Sequence, residues 1–426
     1  VLAQSKSNSK IVIVILNIKG LCGILENDVI IKRGQDLRSF KIFHDAFLAI
    51  KDGLIENYGT MTEWESVKEK YSTYELVQAE GKYVMPGWCD PHTHLVYAAS
   101  REEEFVDRIN GLSYEDIAQR GGGILNSAKK LAVASEEYLF QSAMQRIDSM
   151  IAKGTTSIEI KSGYGLSLES ELKMLRVIRR IKESLPLNIK STFLGAHAVP
   201  EKFKNNKTGY VRHVIDDMIP AIAAEKLADY CDVFCERNYF TQQETEAILN
   251  AGTKFGLIPK VHANQMSRSG GVQAGVNCNA ISVDHLEFVE DEEIAALKNS
   301  TTMPVVLPGA AFFLSLPLPP ARKMIDAGLP LAVATDFNPG SSPSGDMNFM
   351  ISLLCVQYKL NPEEAFNAAT INAAYAMNIS HTTGSISIGK RADFFITKKI
   401  TSPYIIPYSF NENVMESVYV KGKKVV

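Results

Sequence analysis

The stretch Pro86-Gly87-Trp88-Cys89-Asp90-Pro91-His92-Thr93-His94 decides how the chain is read. In an extended strand, residues i and i+2 point to the same face, so His92 and His94 present two imidazoles side by side. A Pro-Gly pair leads into the strand, and the two rings can grip one metal ion from adjacent pleats. The plain alternative is a pair of surface histidines. With only 8 His in 426 residues, the polar residues found further along the chain favour the metal.

Before this stretch, short apolar runs at 11–16, 46–51 and 54–58 alternate with turn signals. Asp52-Gly53, between two of those runs, marks a two-residue hairpin. A helical insert fits 61–70. Residues 1–10 are polar and read as a disordered leader. The run at 11–16 is too short for a signal-peptide core and reads as a first strand.

After Met85 the pattern changes to strand–helix alternation. Strands are expected at 155–160, 188–194, 231–235, 258–262, 281–284, 302–307 and 331–335. Helices are expected between them, among them 168–184, 217–228, 291–299 and 321–327, and one opened by the capping box Thr241-x-x-Glu244. A further helix starts at Asn361-Pro362-Glu363-Glu364 and runs to 377. With the His92 strand there are eight strand–helix units, which argues for a closed barrel over 86–384. From 385 the β pattern returns, at 392–397, 417–420 and 423–426, and completes a small domain begun at 11–85. The expected fold class is therefore α/β: a (β/α)8 TIM-like barrel with a small β-sandwich domain built from both chain ends.

Composition narrows the partners. Hydrophobic residues make up 46% and charged residues 22%, and the formal net charge is -3. Nothing in that balance attracts nucleic acid or an anionic membrane. No apolar stretch is long enough to span a bilayer. Six scattered cysteines read as reduced and mostly buried, as in a cytoplasmic protein.

Barrels of this kind gather their reactive groups where strands end. Here those positions carry His92 and His94, then Lys161 and Tyr164, His197, His262, His285 and Asp336. Three imidazoles and a carboxylate, His92, His94, His262 and Asp336, suit one Zn2+ or Fe ion with a position left for water. Asp336 can also accept a proton from that water. His285 fits a base or orienting group better than a fifth ligand; the bland reading is a satisfied structural histidine.

These residues carry a resemblance. Pro86-Gly87-x-x-Asp90-x-His92-x-His94, then His262, His285 and Asp336 in that order, then Gly389-Lys390-Arg391-Ala392-Asp393, resemble the amidohydrolase superfamily. Within it, Lys161-Ser162-Gly163-Tyr164-Gly165, Leu194-Gly195-Ala196-His197-Ala198, Asp284-His285-Leu286-Glu287 and 335–341 (TDFNPGS) are similar to the imidazolonepropionase family. The likeness runs from about residue 11 to 426. It implies hydrolysis of the cyclic amide of 4-imidazolone-5-propanoate to N-formimidoyl-L-glutamate, in histidine degradation, with one Zn2+ or Fe ion. It implies metal ligands at His92, His94, His262 and Asp336, and a catalytic role for His285. Arg101, Tyr114, Tyr164, His197, Asn338, Gly340 and Ser341 match its substrate contacts.

The side chains agree with that assignment on their own chemistry. Arg101 offers a two-pronged clamp for a propionate, although an arginine beside Glu102, Glu103 and Glu104 is also an ordinary surface pattern. Gln265 stands where some relatives have a glutamate. Its amide can hydrogen-bond a ring but cannot act as acid or base, so proton transfer falls to His285 and Asp336. Lys161 is expected in a polar network, with one metal rather than two.

Gly121-Gly122-Gly123 lacks the strand and Lys-Ser/Thr of a phosphate loop and reads as a mobile loop over the site. The stretch 312–320 reads as a packed connection. The expected partner is a small-molecule substrate, and the expected assembly a homodimer. The rival readings are a one-metal aminohydrolase acting on a purine, pyrimidine or related heterocycle, and a barrel kept as a non-catalytic scaffold.

Overall fold

The strand that carries the histidine pair runs from Trp88 to Thr93, and every residue in it is buried. It is the first of eight parallel strands in the computed structural model, which describes residues 12–71, 73–112, 116, 120–410 and 412–426. The others are Thr155–Lys161, Asn188–Ala196, Tyr230–Cys235, Ile258–Ala263, Ser282–His285, Met303–Val306 and Ala332–Val333. Strand order follows chain order. The ends meet where Thr93 bridges Phe337, with Asp336 N donating to His92 O at 3.0 Å and His94 N to Phe337 O at 2.9 Å. The expected barrel is present. Helices cover its outside, where Ile158 and Ile160 pack, while Glu159 and Lys161 on the alternate positions point inward.

The two chain ends form the second sheet, one hydrogen-bonded path through Lys423–Lys424, Met415–Val420, Phe394–Thr397, Tyr83–Pro86, Val12–Cys22, Ile42–Lys51 and Leu54–Thr60. The Asp52-Gly53 hairpin is there, with φ of 53° and 81° at its two turn residues. Alternation gives this sheet two apolar faces. Ile13, Ile15, Leu48 and Ile50 pack with Phe394 and Ile396 of the tail, while Val14, Phe47 and Ala49 pack on Trp64 of the helix Met61–Val67. Trp88 ties the sheet to the barrel floor, its ring 4.9 Å from that of Phe395 and its Nε1 donating to Asn348 Oδ1 at 3.0 Å.

Three elements depart from expectation. The helix expected at 217–228 begins earlier, at Lys207 under an Asn206 cap, widens to a π turn over Val214–Met218, and stops at Ala224. Pro220 explains the widening: it has no N–H and its ring crowds the preceding turn. The eighth strand pairs only at Ala332–Val333, and the chain then turns at Asp336, where φ is 53°. The helix expected to run unbroken to 377 is split at Thr370 (φ -119°, ψ -95°). The leader 1–10 and Ile11 lie outside the described residues. All six cysteines are free thiols, five of them buried. Among the described residues, no helix is long and apolar enough to cross a membrane.

Candidate active site

At the C-terminal ends of the strands, His92, His94, His262, His285 and Asp336 come together, all of them buried. His92 Nε2 lies 3.3 Å from His94 Nε2, which lies 3.2 Å from His262 Nε2. The Asp336 Oδ1 atom is 3.5 Å from His92 Nε2 and 3.6 Å from His94 Nε2. Ligand atoms of His92, His94 and Asp336 fall within 4.8 Å of one another, and so do those of His92, His262 and His285. His285 thus stands closer to the four expected ligands than its sequence position suggested.

Backbone geometry makes this possible. Strict alternation would send His285 outward, since its neighbour Asp284 points in and accepts from His92 Nδ1 at 2.6 Å. A φ of 90° at His285 breaks the alternation, and its ring lies 5.6 Å from that of His92. Such values are costly for a residue with a side chain and tend to mark functional positions.

The donor set suits a cation. Burial, reinforced by the Lys161 charge, pushes His92 well below the usual histidine range, and burial with His197 does the same for His94. Because His92 donates from Nδ1 to Asp284, its Nε2 carries a lone pair toward the other rings. His262 also faces a carboxylate: its backbone N donates to Asp232 Oδ1 at 3.1 Å, and its Nδ1 lies 3.0 Å from Asp232 Oδ2. Neutral imidazole lone pairs this close repel unless something positive sits between them, and carboxylates on the far nitrogens are the usual support for metal-binding histidines. The cluster can hold a metal ion.

Beneath it lies a buried charge network that the sequence reading caught only at Lys161. The Lys161 ammonium is 2.8 Å from both Glu159 and Asp232. Lys260 sits 3.3 Å from Glu159, and Thr192 also donates to Glu159. Burial opposes the Lys161 charge, but Asp232 and Glu159 outweigh it and hold Lys161 above its ordinary value. His262 and Lys161 likewise keep Asp232 well below the carboxylate range. Asp232 escaped notice because its partners lie 30 and 71 residues away.

Above the cluster opens a cavity of about 510 Å³. Arg101, Tyr164, His197, Gln265, Asn338, Gly340 and Ser341, all expected as substrate contacts, line its wall together with His94, His262, His285 and Asp336. Tyr114 lies outside the described residues. The turn bearing Tyr164 is fixed by buried Glu171, which accepts from the backbone N–H of Gly163, Gly165 and Leu166 at 3.2, 2.8 and 2.9 Å. Gly163 O in turn accepts from His197 Nδ1 at 3.0 Å. Asn338 Oδ1 accepts from Gly340 N and Ser341 N at 2.7 and 2.8 Å, which shapes the last loop. Sequence reasoning missed Arg108, whose guanidinium stacks 4.6 Å over Phe313 and donates to Gly340 O at 3.3 Å. Gly122 and Gly123, read as a mobile loop, open the helix Gly123–Val133. Residues 313–316, expected as a packed connection, also line the cavity.

Comparison with known proteins agrees with this geometry. Residues 83–425 match the amidohydrolase family. A protein of Flavobacterium johnsoniae named imidazolonepropionase is 53% identical over 409 residues, 96% of this chain and 98% of its own. One of Geobacillus kaustophilus with the same name is 45% identical, covering 92% of each chain. Among solved structures, guanine deaminase of E. coli superposes with a TM-score of 0.73 at 14% identity, over 97% of this chain and 99% of that one. An adenosine deaminase of Xanthomonas campestris with bound zinc gives 0.69 at 14%, over 97% and 92%. These two likenesses concern the fold. The curated relatives match 92–96% of this chain and the family model matches residues 83–425, and on that ground the chain belongs to the amidohydrolase family and, within it, to the imidazolonepropionases, hydrolases acting on carbon–nitrogen bonds.

Proposed function

We propose that the chain opens the ring of 4-imidazolone-5-propanoate to give N-formimidoyl-L-glutamate, with one Zn2+ or Fe ion held by His92, His94, His262 and Asp336. One observation carries the reading: a single cavity has a buried His/Asp cluster at its floor and Arg101 in its wall. That pairing matches a substrate with a cyclic amide at one end and a propionate at the other. When bound, the ion supplies a water acidic enough to give up its proton near neutral pH.

The protein's own residues do the rest. Arg101 and Tyr164 take the propionate, and His197 and Gln265 orient the ring, with Asn338, Gly340 and Ser341 forming the wall beside it. Asp336 and His285 receive the proton of the attacking water. Burial raises the Asp336 carboxyl, against the pull of His285 and His262, which makes it a better acceptor than an exposed aspartate. Burial holds His285 down to about 4, so at pH 7 its ring is unprotonated and offers a lone pair to the proton, as a weaker base than an exposed histidine. The oxygen adds to the lactam carbonyl carbon, the carbon–nitrogen bond breaks, and Asp336 or His285 returns the proton to the leaving ring nitrogen.

The test is a metal-replete assay that follows loss of the imidazolone ultraviolet band. Arg101→Ala should raise KM with kcat largely kept, and His285→Ala should lower kcat by about 100-fold or more. No turnover by a parent protein holding one metal per chain would defeat the reading.

A further inference from the structure

Glu104 lies three residues after Arg101, in the exposed-looking run Glu102-Glu103-Glu104, yet its side chain is only 13% exposed and that of Arg101 only 7%. Its Oε2 accepts from Arg101 Nε at 2.7 Å and also from Arg101 Nη2. The other oxygen, Oε1, accepts from Gly123 N at 3.0 Å and Asn126 Nδ2 at 3.4 Å, at the start of the helix Gly123–Val133. The carboxylate is therefore tied at both ends and cannot swing. Burial works against its charge, but Arg101, Gly123 and Asn126 outweigh it and hold Glu104 below the usual carboxylate range.

A guanidinium has two hydrogen-bonding edges. Glu104 engages the Nε–Nη2 edge, and this turns the Nη1 side against Gly340, so close that a Cβ at Gly340 would lie 2.1 Å from Nη1. Both Arg101 and Gly340 line the cavity. The helix Glu102–Ile109 has no buried residue of its own, and the Glu104 anchor ties it to the helix Gly123–Val133. We propose that Glu104 is a positioning residue: it fixes the rotamer of Arg101 so that the Nη1 side meets the substrate's carboxylate, with no contact to substrate itself. This inference rests on the reading of Arg101 given above.

The experiment measures kcat and KM of the full-length, metal-replete protein as parent, Arg101→Ala, Glu104→Ala, Glu104→Gln and the Arg101→Ala/Glu104→Ala pair. Competitive inhibition by 5-methyl-4-imidazolone, which lacks the carboxylate, is measured alongside. Glu104→Ala should raise KM about tenfold with kcat within about twofold, and Glu104→Gln by less. The double variant should match Arg101→Ala alone, and the inhibition constant of the methyl compound should not move. The proposal is overturned if Glu104→Ala leaves KM unchanged, if its effect adds in full to that of Arg101→Ala, or if the methyl compound weakens equally. Should Glu104→Ala fail to fold, Glu104→Gln decides by the same criteria. An Arg101→Ala protein with unchanged KM would instead remove the reading of Arg101, and the proposal with it.

Discussion

Gly340 shows how a single position can be set by a neighbour far away in sequence. Arg101 occupies the space a side chain would need, so Gly340→Ala must push the guanidinium off the cavity wall. The expected outcome is a KM raised about tenfold, equivalent to about 1.4 kcal/mol of lost binding, with kcat nearly kept and a crystal structure showing a new Arg101 rotamer. The residues legible in the sequence, His92, His94, His262, His285 and Asp336, all stand at strand ends, where the fold leaves polar groups facing one chamber. Asp232 and Glu104 were not legible as partners. The contacts of Asp232 depend on barrel register. Glu104 stands three residues from Arg101, but its hold on Gly123 and Asn126 depends on a helix docking that no local spacing encodes. Asp284 was quoted only as part of a motif, since its hydrogen bond to His92 spans 192 residues.

At the level of elements, the turn after the second barrel strand depends on one buried carboxylate. Glu171 satisfies three backbone N–H groups there, and Leu166 within the turn adopts a left-handed φ of 54°. Glu171→Ala would leave those donors buried without a partner, at a cost of roughly 3 kcal/mol or more. A urea titration should show the lower midpoint, and KM should rise because the turn positions Tyr164 and, through Gly163 O, His197. A variant with lowered stability but unchanged KM would separate this turn from substrate binding. Element boundaries were legible where caps announce them: the Thr241 capping box opens its helix where expected, and Leu168–Ser184 runs over the expected range. They were not legible in the eighth strand, which pairs only at Ala332–Val333, or where Pro220 forces a wider turn into a continuous helix.

The whole molecule concentrates buried neutral histidines at one end of the barrel, and that has a price in acid. Burial holds His197 at about 3 and His285 at about 4, against an ordinary value near 6.5. The unfolded chain therefore binds protons that the folded chain refuses between pH 6.5 and about 4. Stability falls as pH is lowered through that window, by about 1.4 kcal/mol per pH unit for each histidine. Melting curves of metal-free protein should drop steeply from pH 7 to pH 5 and flatten above pH 7. Asp90, which burial raises to about 7, works in the opposite sense over the same window. His197 and His285 are therefore followed directly by their ring-proton NMR shifts, and rings that titrate near 6.5 would contradict the account. The fold class was legible because eight strand–helix units admit few closures, whereas the pairing of Phe394–Thr397 with Tyr83–Pro86, which joins the two chain ends in one sheet, is set by no local pattern.

The most direct measurement is a proton NMR spectrum of 4-imidazolone-5-propanoate incubated with the metal-replete protein. The account requires the imidazolone ring signal to give way to the formimidoyl CH signal of N-formimidoyl-L-glutamate, and the conversion to stop after chelation and resume on adding metal. An unchanged imidazolone spectrum from correctly folded, metal-loaded protein would contradict it.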